Sequence, residues 1–161
     1  MRPDLNPLAL MLEIKQIQPS ETWEIRHRVM WADKPFADVK LSKDDAGLHF
    51  GLFKDEILIS VISLFIENDM AQFRKFATEI TEQGKGYGAK LLTHLIEESI
   101  RRNVRTLWCN ARTSAIGFYE KFGFEIISEK WIDNDVEYIK MERILGDSRN
   151  MPTDYLIENS T

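Results

Sequence analysis

Glu82-Gln83-Gly84-Lys85-Gly86-Tyr87-Gly88-Ala89-Lys90-Leu91-Leu92 sets a glycine-dense loop directly against an amphipathic helix. Upstream, Ala71-Gln72-Phe73-Arg74-Lys75-Phe76-Ala77-Thr78 reads as a strand, so the chain passes strand, glycine loop, helix. Glycine lets the backbone bend and approach a ligand closely. The first-turn N–H groups and the helix dipole then favour an anion such as a phosphate. A glycine turn before a helix is also an ordinary tight connection, so the loop standing alone leaves the function open.

Working outward, Leu91, Leu92, Leu95, Ile96 and Ile100 recur at helical spacing, with Glu97, Glu98, Arg101 and Arg102 on the water side. Leu12 to Ile17 alternates as a first strand. Pro19-Ser20 follows, with Ser20 the expected N-cap of a helix from Glu21 to about Trp31. Residues 32–47 read as a polar loop. His49 to Phe53 and Ile57 to Ile66 flank Lys54-Asp55-Glu56 as a hairpin, and Asn68-Asp69 turns into the strand ending near Thr78. Arg105 to Ala111 is a further strand, and Thr113 or Ser114 caps a short helix through Lys121. Phe124 to Glu129 and Val136 to Met141 are expected to pair across Asp133-Asn134-Asp135, with a polar, loose tail after Leu145. The order predicts an α/β chain with one mixed, mostly antiparallel sheet of about seven strands flanked by helices.

The 161 residues suit one domain, expected over 11–145, with terminal extensions at 1–10 and 146–161. Residues 1–10 hold one basic residue and two prolines and no signal-peptide apolar core, so nothing in them directs export; they read as a loose extension or an upstream start. A content of 43% hydrophobic and 29% charged residues is that of a soluble globular protein, and no apolar run reaches the length of a membrane span. The single cysteine, Cys109, excludes an internal disulfide and a multi-cysteine metal site, which suits a cytoplasmic location. A net charge of -5 argues against a nucleic-acid partner. No repeat or low-complexity segment is present.

Two stretches together carry a resemblance. Gln83-x-x-Gly86-x-Gly88 after a strand, followed by Ala115-Ile116-Gly117-Phe118-Tyr119-Glu120-Lys121-Phe122-Gly123-Phe124, resembles the GNAT superfamily of N-acetyltransferases over most of residues 11–141. Asp44 to His49, Ala111 to Ala115 and Val136 to Met141 are most similar to small bacterial acetyltransferases of unassigned substrate. The resemblance implies acetyl-CoA as cosubstrate and no metal. It places the pantetheine arm along Phe76, Ala77 and Thr78. The pyrophosphate falls on Gln83 and the N–H groups of Gly84, Lys85, Gly86, Tyr87, Gly88 and Ala89. It also implies an amine acceptor, small-molecule or peptide, attacking the thioester directly, with Tyr119 donating to the departing sulfur.

The residues qualify that picture. A lysine-like amine with a pKa of about 10.4 is mostly protonated at neutral pH, so a base or a desolvating pocket has to help. Some relatives use a glutamate whose position here is Gln72, which cannot accept a proton usefully. Glu79, Glu82, His27 and His49 are substitutes by residue type alone; Glu79 and Glu82 are expected to solvate the loop, and His27 and His49 to be hydrogen-bonded scaffold. Many members have asparagine where this chain has Arg112, whose rigid fork suits a cofactor phosphate, a substrate carboxylate or a plain covering role. Cys109 is expected to face the core as inert packing, Lys85 to be solvated or to reach a phosphate, and Lys90 to be solvated. Trp31 with the loop after it, and Trp131, could receive a cationic amine or simply pack.

Rival readings are weaker. Gly84-x-Gly86-x-x-Ala89 fits a relaxed dinucleotide fingerprint, yet the acidic residue expected about 20 positions on is replaced by Val104-Arg105-Thr106. An acyl-CoA-binding sensor without turnover is the non-enzymatic alternative. Homodimerisation through the last hairpin or the tail has no diagnostic signature.

Overall fold

The structure, a computed structural model, describes residues 10–146. The sequence expectations for 1–9 and for the tail from 147 lie outside the described residues. β1, Leu12–Ile17, pairs antiparallel with β2, Leu48–Lys54, from Leu12 opposite Lys54 to Ile17 opposite His49. β3 is Ile57–Glu67 and β4 is Met70–Thr78. The β2–β3 turn places both Asp55 (φ 49°) and Glu56 (φ 71°) in the left-handed region, as two-residue hairpins of the favoured twist require.

β4 pairs in parallel with β5, Thr106–Arg112, but only from Met70 opposite Thr106 to Gln72 opposite Trp108. β5 then pairs antiparallel with β8, Val136–Ile144, along its whole length. The sheet has eight strands in the order β1-β2-β3-β4-β5-β8-β6, where β6 is Glu125–Ile126, and β7, Trp131–Asp133, also pairs with β8. It is a mostly antiparallel sheet flanked by α1, Trp23–Ile25, α2, Tyr87–Arg101, and α3, Ile116–Glu120.

Among the described residues, contacts define two compact units, 10–63 with Lys75–Leu95, and Leu64–Arg74 with 96–146. In the first, Ile17, Ile25, Val61 and Ala77 form a buried cluster packed by Val29, Met30, Phe53 and Leu58. Gly51 is required by close approach there, because a Cβ would collide with Leu58 and crowd Ile17. In the second unit, Leu107, Cys109 and Ala111 on β5 and Ile139 and Met141 on β8 share a buried face, and Phe73 and Phe124 meet edge to face at 5.7 Å. α2 ends on Asn103 (φ 63°), with Val104 N–H donating to Ser99 O, the wrapped C-terminal closure that asparagine can adopt.

Several local expectations are corrected. Ser20 is not the N-cap: Gln18 starts a short 3-10 turn, Pro19–Thr22, and Glu21 returns its carboxylate to the Gln18 N–H. The helix expected to Trp31 is α1 followed by one π-helical turn, Arg26–Met30. The loop at 32–47 is not uniformly polar surface, since Val39 and Asp44 are buried in 3-10 turns. Neither Thr113 nor Ser114 caps α3; Thr113 Oγ1 donates to Glu137 instead. The strand that turns across Asp133-Asn134-Asp135 is β7, while the 124–129 segment reaches β8 farther along, at Glu142 and Met141.

The π turn begins on a buried charge. Arg26 is fully buried and forks onto Asp44 at 2.8 and 3.0 Å, while also donating to Val39 O and Ser63 Oγ. Asp44 further accepts from Trp23 Nε1 and Leu41 N–H. His49 Nε2 lies 2.8 Å from Asp44 O and so donates to it, leaving Nδ1 to accept from Ser63 Oγ at 2.7 Å. Burial alone would raise the Asp44 pKa, but the Arg26, Leu41 and Trp23 hydrogen bonds and the Arg26 charge outweigh it and hold the carboxyl below its ordinary value.

Asp44→Ala strands the Arg26 charge and is expected to cost about 3–5 kcal/mol of unfolding free energy, read by urea denaturation. Because the folded pKa lies below the unfolded value of about 3.9, this contribution is present above that pH and is lost as pH falls through the folded value. The wild-type denaturation midpoint is therefore expected to drop below about pH 4 by more than that of Asp44→Ala.

Candidate active site

β4 carries a residue in an unusual place. Lys75 has φ 54° inside the strand, just after the rungs to β5 end at Gln72. A left-handed non-glycine residue within a strand makes a bulge that re-aims the rest of the strand. The Lys75 ammonium sits 3.7 Å from the centre of the Trp31 ring, so that face of Trp31 is already covered by a cation. No glycine marks this position, and the sequence carried no signal for it.

Beyond the bulge, Glu79 N–H donates to Ile59 O on β3. By strand alternation Ala77 also faces β3, as its carbonyl's bond from Ser60 agrees, and Phe76 and Thr78 turn their main-chain groups toward the opposite edge. Thr78 O accepts from Gln83 Nε2 at 2.9 Å, so the Gln83 carboxamide ties the strand end to the loop.

The loop then enters α2 through Gly84 (φ 77°) and Gly86 (φ 87°). A Cβ at either would meet nothing within 4 Å, so glycine is required there by conformation rather than by space. Gly88 is different: a Cβ would stand 3.3 Å from Phe76 and 3.6 Å from Thr78 Oγ1, which sets the first turn of α2 directly on the end of β4. The first α2 hydrogen bond entering from the loop is Lys90 N–H to Gly86 O. The successive N–H groups from Gly84 to Ala89 donate to no described residue. They form a row of orphan donors at the positive end of a helix, the arrangement that suits a phosphate. The Tyr87 ring is buried, so that residue presents only its N–H outward.

The carboxylates considered as bases are committed elsewhere. Glu79 accepts from Arg28 at 3.1 and 3.3 Å, and Glu82 holds Lys54 at 3.0 and 3.1 Å with Lys85 at 3.4 Å. The Lys54 hydrogen bond leads the causes that lower the Glu82 pKa. His27 Nε2 is 2.8 Å from Lys34 O and so acts as a donor, and His49 belongs to the Arg26 network. Lys85 is thus held by Glu82, and Lys90 is exposed.

In the second unit Tyr119 is 9% exposed on α3, within ring contact of Phe73, Phe118 and Phe124. Its hydroxyl makes no hydrogen bond to a described residue. Burial pushes the phenol pKa well up, the Cys109 thiol adds to this, and the Arg112 charge opposes it. Cys109 is buried as expected, its thiol pushed up to about 12 by burial, which makes it inert packing. Arg112 closes β5, exposed, opposite Tyr138. Among the described residues no group of three or more His, Cys, Asp or Glu is placed to hold a metal.

A family model described as Acetyltransferase (GNAT) domain matches residues 33–145. The chain belongs to the GNAT acetyltransferase family. It is 32% identical over 149 residues to the uncharacterized N-acetyltransferase YitI of Bacillus subtilis strain 168, covering 86% of this chain and 100% of that protein. The [Ribosomal protein bS18]-alanine N-acetyltransferase of Escherichia coli strain K12 is 33% identical over 101 residues, 61% of this chain and 66% of the relative. A crystal structure of the ribosomal-protein-S18-alanine N-acetyltransferase from Escherichia coli superposes with a TM-score of 0.74 at 23% identity, covering 88% of this chain and 99% of that one. This GNAT protein is therefore an acyl-CoA-dependent N-acetyltransferase. Among the described residues no helix is long and apolar enough to cross a membrane.

Gly86→Ala is expected to lower the unfolding free energy by about 1–2 kcal/mol through its left-handed φ alone, the space being open. Urea denaturation measures it, and an unchanged midpoint would mean that the loop relaxes out of this conformation.

Proposed function

We propose that residues 11–145 act as one acyltransferase domain that transfers the acetyl group of acetyl-CoA to a primary amine by direct attack in a ternary complex. The orphan N–H row from Gly84 to Ala89 at the start of α2 is the observation that carries this reading. It offers several convergent donors to a pyrophosphate, each worth about 0.3–1 kcal/mol when exposed. Gln83 holds the loop to β4 in this reading. The outer edge of β4 at Phe76 and Thr78, with Ala77 packed inward, is the strand the peptide-like pantetheine arm extends.

The amine nitrogen adds to the thioester carbonyl carbon, the C–N bond forms, the C–S bond breaks, and the sulfur leaves with a proton. Two protons have to move: one leaves the attacking nitrogen and one reaches the sulfur. Tyr119 supplies the second, and its raised pKa keeps it protonated throughout the physiological range. A phenol is a weaker acid than a thiol near 8.5, so this transfer helps only modestly, and solvent returns a proton to the phenolate once the thiol has left. The Tyr119 hydroxyl, unpartnered among the described residues, is available for that transfer. For the first proton, Gln72 offers no base and Glu79 and Glu82 are ion-paired, so the nitrogen loses its proton to solvent.

Titration of the purified protein with acetyl-CoA in a calorimeter tests this reading: saturable one-site binding supports it, and no binding by intact protein overturns it. Gly86→Asp places a carboxylate in the cradle and is expected to weaken that binding at least about tenfold. Tyr119→Phe is expected to lower kcat by about 10- to 1,000-fold with little change in acetyl-CoA affinity. Because a general acid is lost as pH rises through its pKa, and burial raises this one, the Tyr119-dependent fall in kcat is expected above about pH 10, the ordinary phenol value.

A further inference from the structure

A carboxylate stands beside the row of N–H groups that suits a phosphate. Glu82 lies two residues before Gly84, where the row begins, and two residues of chain span at most about 7 Å. That is inside the screening length of roughly 8 Å at physiological salt, so a bare Glu82 carboxylate opposes a pyrophosphate held on the loop.

Glu82 is not bare. Lys54, the last residue of β2, donates to both of its oxygens, at 3.1 and 3.0 Å. Lys85 reaches Oε2 from the loop itself at 3.4 Å. Glu82, Lys54, Lys85 and Tyr87 all belong to the first compact unit. Two lysines on one carboxylate leave a net charge of +1 beside the loop.

The two lysines are held unequally. Lys54 makes the shorter contact, to two oxygens, and its side chain is 22% exposed. Its ammonium also lies 5.7 Å from the centre of the Tyr87 ring, so Lys54 touches the chain on both sides of Gly84 and Gly86. Lys85 has one contact to Glu82, at 3.4 Å, on a side chain 50% exposed. The Glu82 carboxyl lies below its ordinary pKa chiefly through the Lys54 hydrogen bond, and the Lys85 bond contributes less. Lys54 is therefore the fixed cation, and Lys85 is the one placed to leave.

We propose that Lys54 is a positioning residue for the phosphate site: by neutralising Glu82 it lets Lys85 turn from that carboxylate to a phosphate of the bound ligand, a pyrophosphate ester such as acetyl-CoA. With Lys54 in place, Glu82 stays paired when Lys85 departs. Without Lys54, the same departure strips Glu82 of both cations and sets a carboxylate against the phosphates. The proposal rests on the acetyltransferase reading, which supplies the ligand.

Calorimetric titration of the full chain with acetyl-CoA tests this, with the unfolding midpoint of each variant measured beside it. Lys54→Met is expected to raise Kd about tenfold or more, and Lys54→Arg, which keeps a cation on Glu82, to stay within about threefold of wild type. Lys85→Gln is expected to raise Kd about threefold or more in the wild-type chain and less than about twofold in Lys54→Met, because there Lys85 is retained by Glu82. Lys54→Met combined with Glu82→Gln restores the net charge of the cluster and is expected to bind within about threefold of wild type. Glu82→Gln alone, which needs no fold-sensitive loss of Lys54, is expected to bind as tightly as wild type or tighter. Lys54→Met binding like wild type, a Lys85→Gln loss equal in both backgrounds, or weakened binding by Glu82→Gln would each overturn the proposal. A double variant as weak as Lys54→Met makes the ion pair a mechanical brace of the loop and overturns it too. Wild-type protein that fails to bind acetyl-CoA removes the acetyltransferase reading itself.

Discussion

β4 and β5 hold each other through three parallel rungs, Met70 to Gln72 against Thr106 to Trp108, and there the ladder stops. A strand whose ladder ends still carries main-chain donors and acceptors that need partners. The left-handed Lys75 comes after the last rung, and β4 then runs on through Phe76 to Thr78 into the glycine loop. On β5, Asn110 and Arg112 continue past the same rung. The pantetheine edge proposed on β4 depends on that early end to the pairing.

Carboxylates are matched by cations in both units. In the first, acidic groups are matched: Asp44 to buried Arg26, Glu79 to Arg28, Glu82 to Lys54 and Lys85. The buried pair is the expensive one, since breaking it leaves a charge without compensation, whereas the exposed pairs each contribute little. This matching leaves none of the carboxylates considered as bases available for the task. In the second unit Glu98 likewise holds Arg101 and Arg102, while Lys140 lies over the Trp108 ring.

Legibility followed the range of the interaction. The β1, β2, β3 and β4 strands, the loop and α2 were readable because their signals are local: alternation, glycine, and a helical stripe in which Leu91, Leu92, Leu95 and Ile96 are buried. Period two alone puts Cys109 in the core, where it is buried. Ser20, Thr113 and Ser114 have side chains suited to caps but sit in positions where other bonds prevail, Gln18 with Glu21 at one end and Thr113 with Glu137 at the other. The register of the last hairpin is not legible, because residues 124–133 contain two short strands that both pair with β8, a competition that no local pattern resolves.

By itself the sequence determined the order of elements, the glycine loop on its helix and the family motifs, since each rests on residues adjacent in the chain or on a short period. Only the tertiary structure decided that Asp44 is the buried partner of Arg26, that Lys75 is left-handed over Trp31, and that Lys54 reaches both Glu82 and Tyr87. Those arrangements join residues distant in sequence, and strand pairing and packing, which bring them together, are set by the free energy of the whole fold rather than by local propensity.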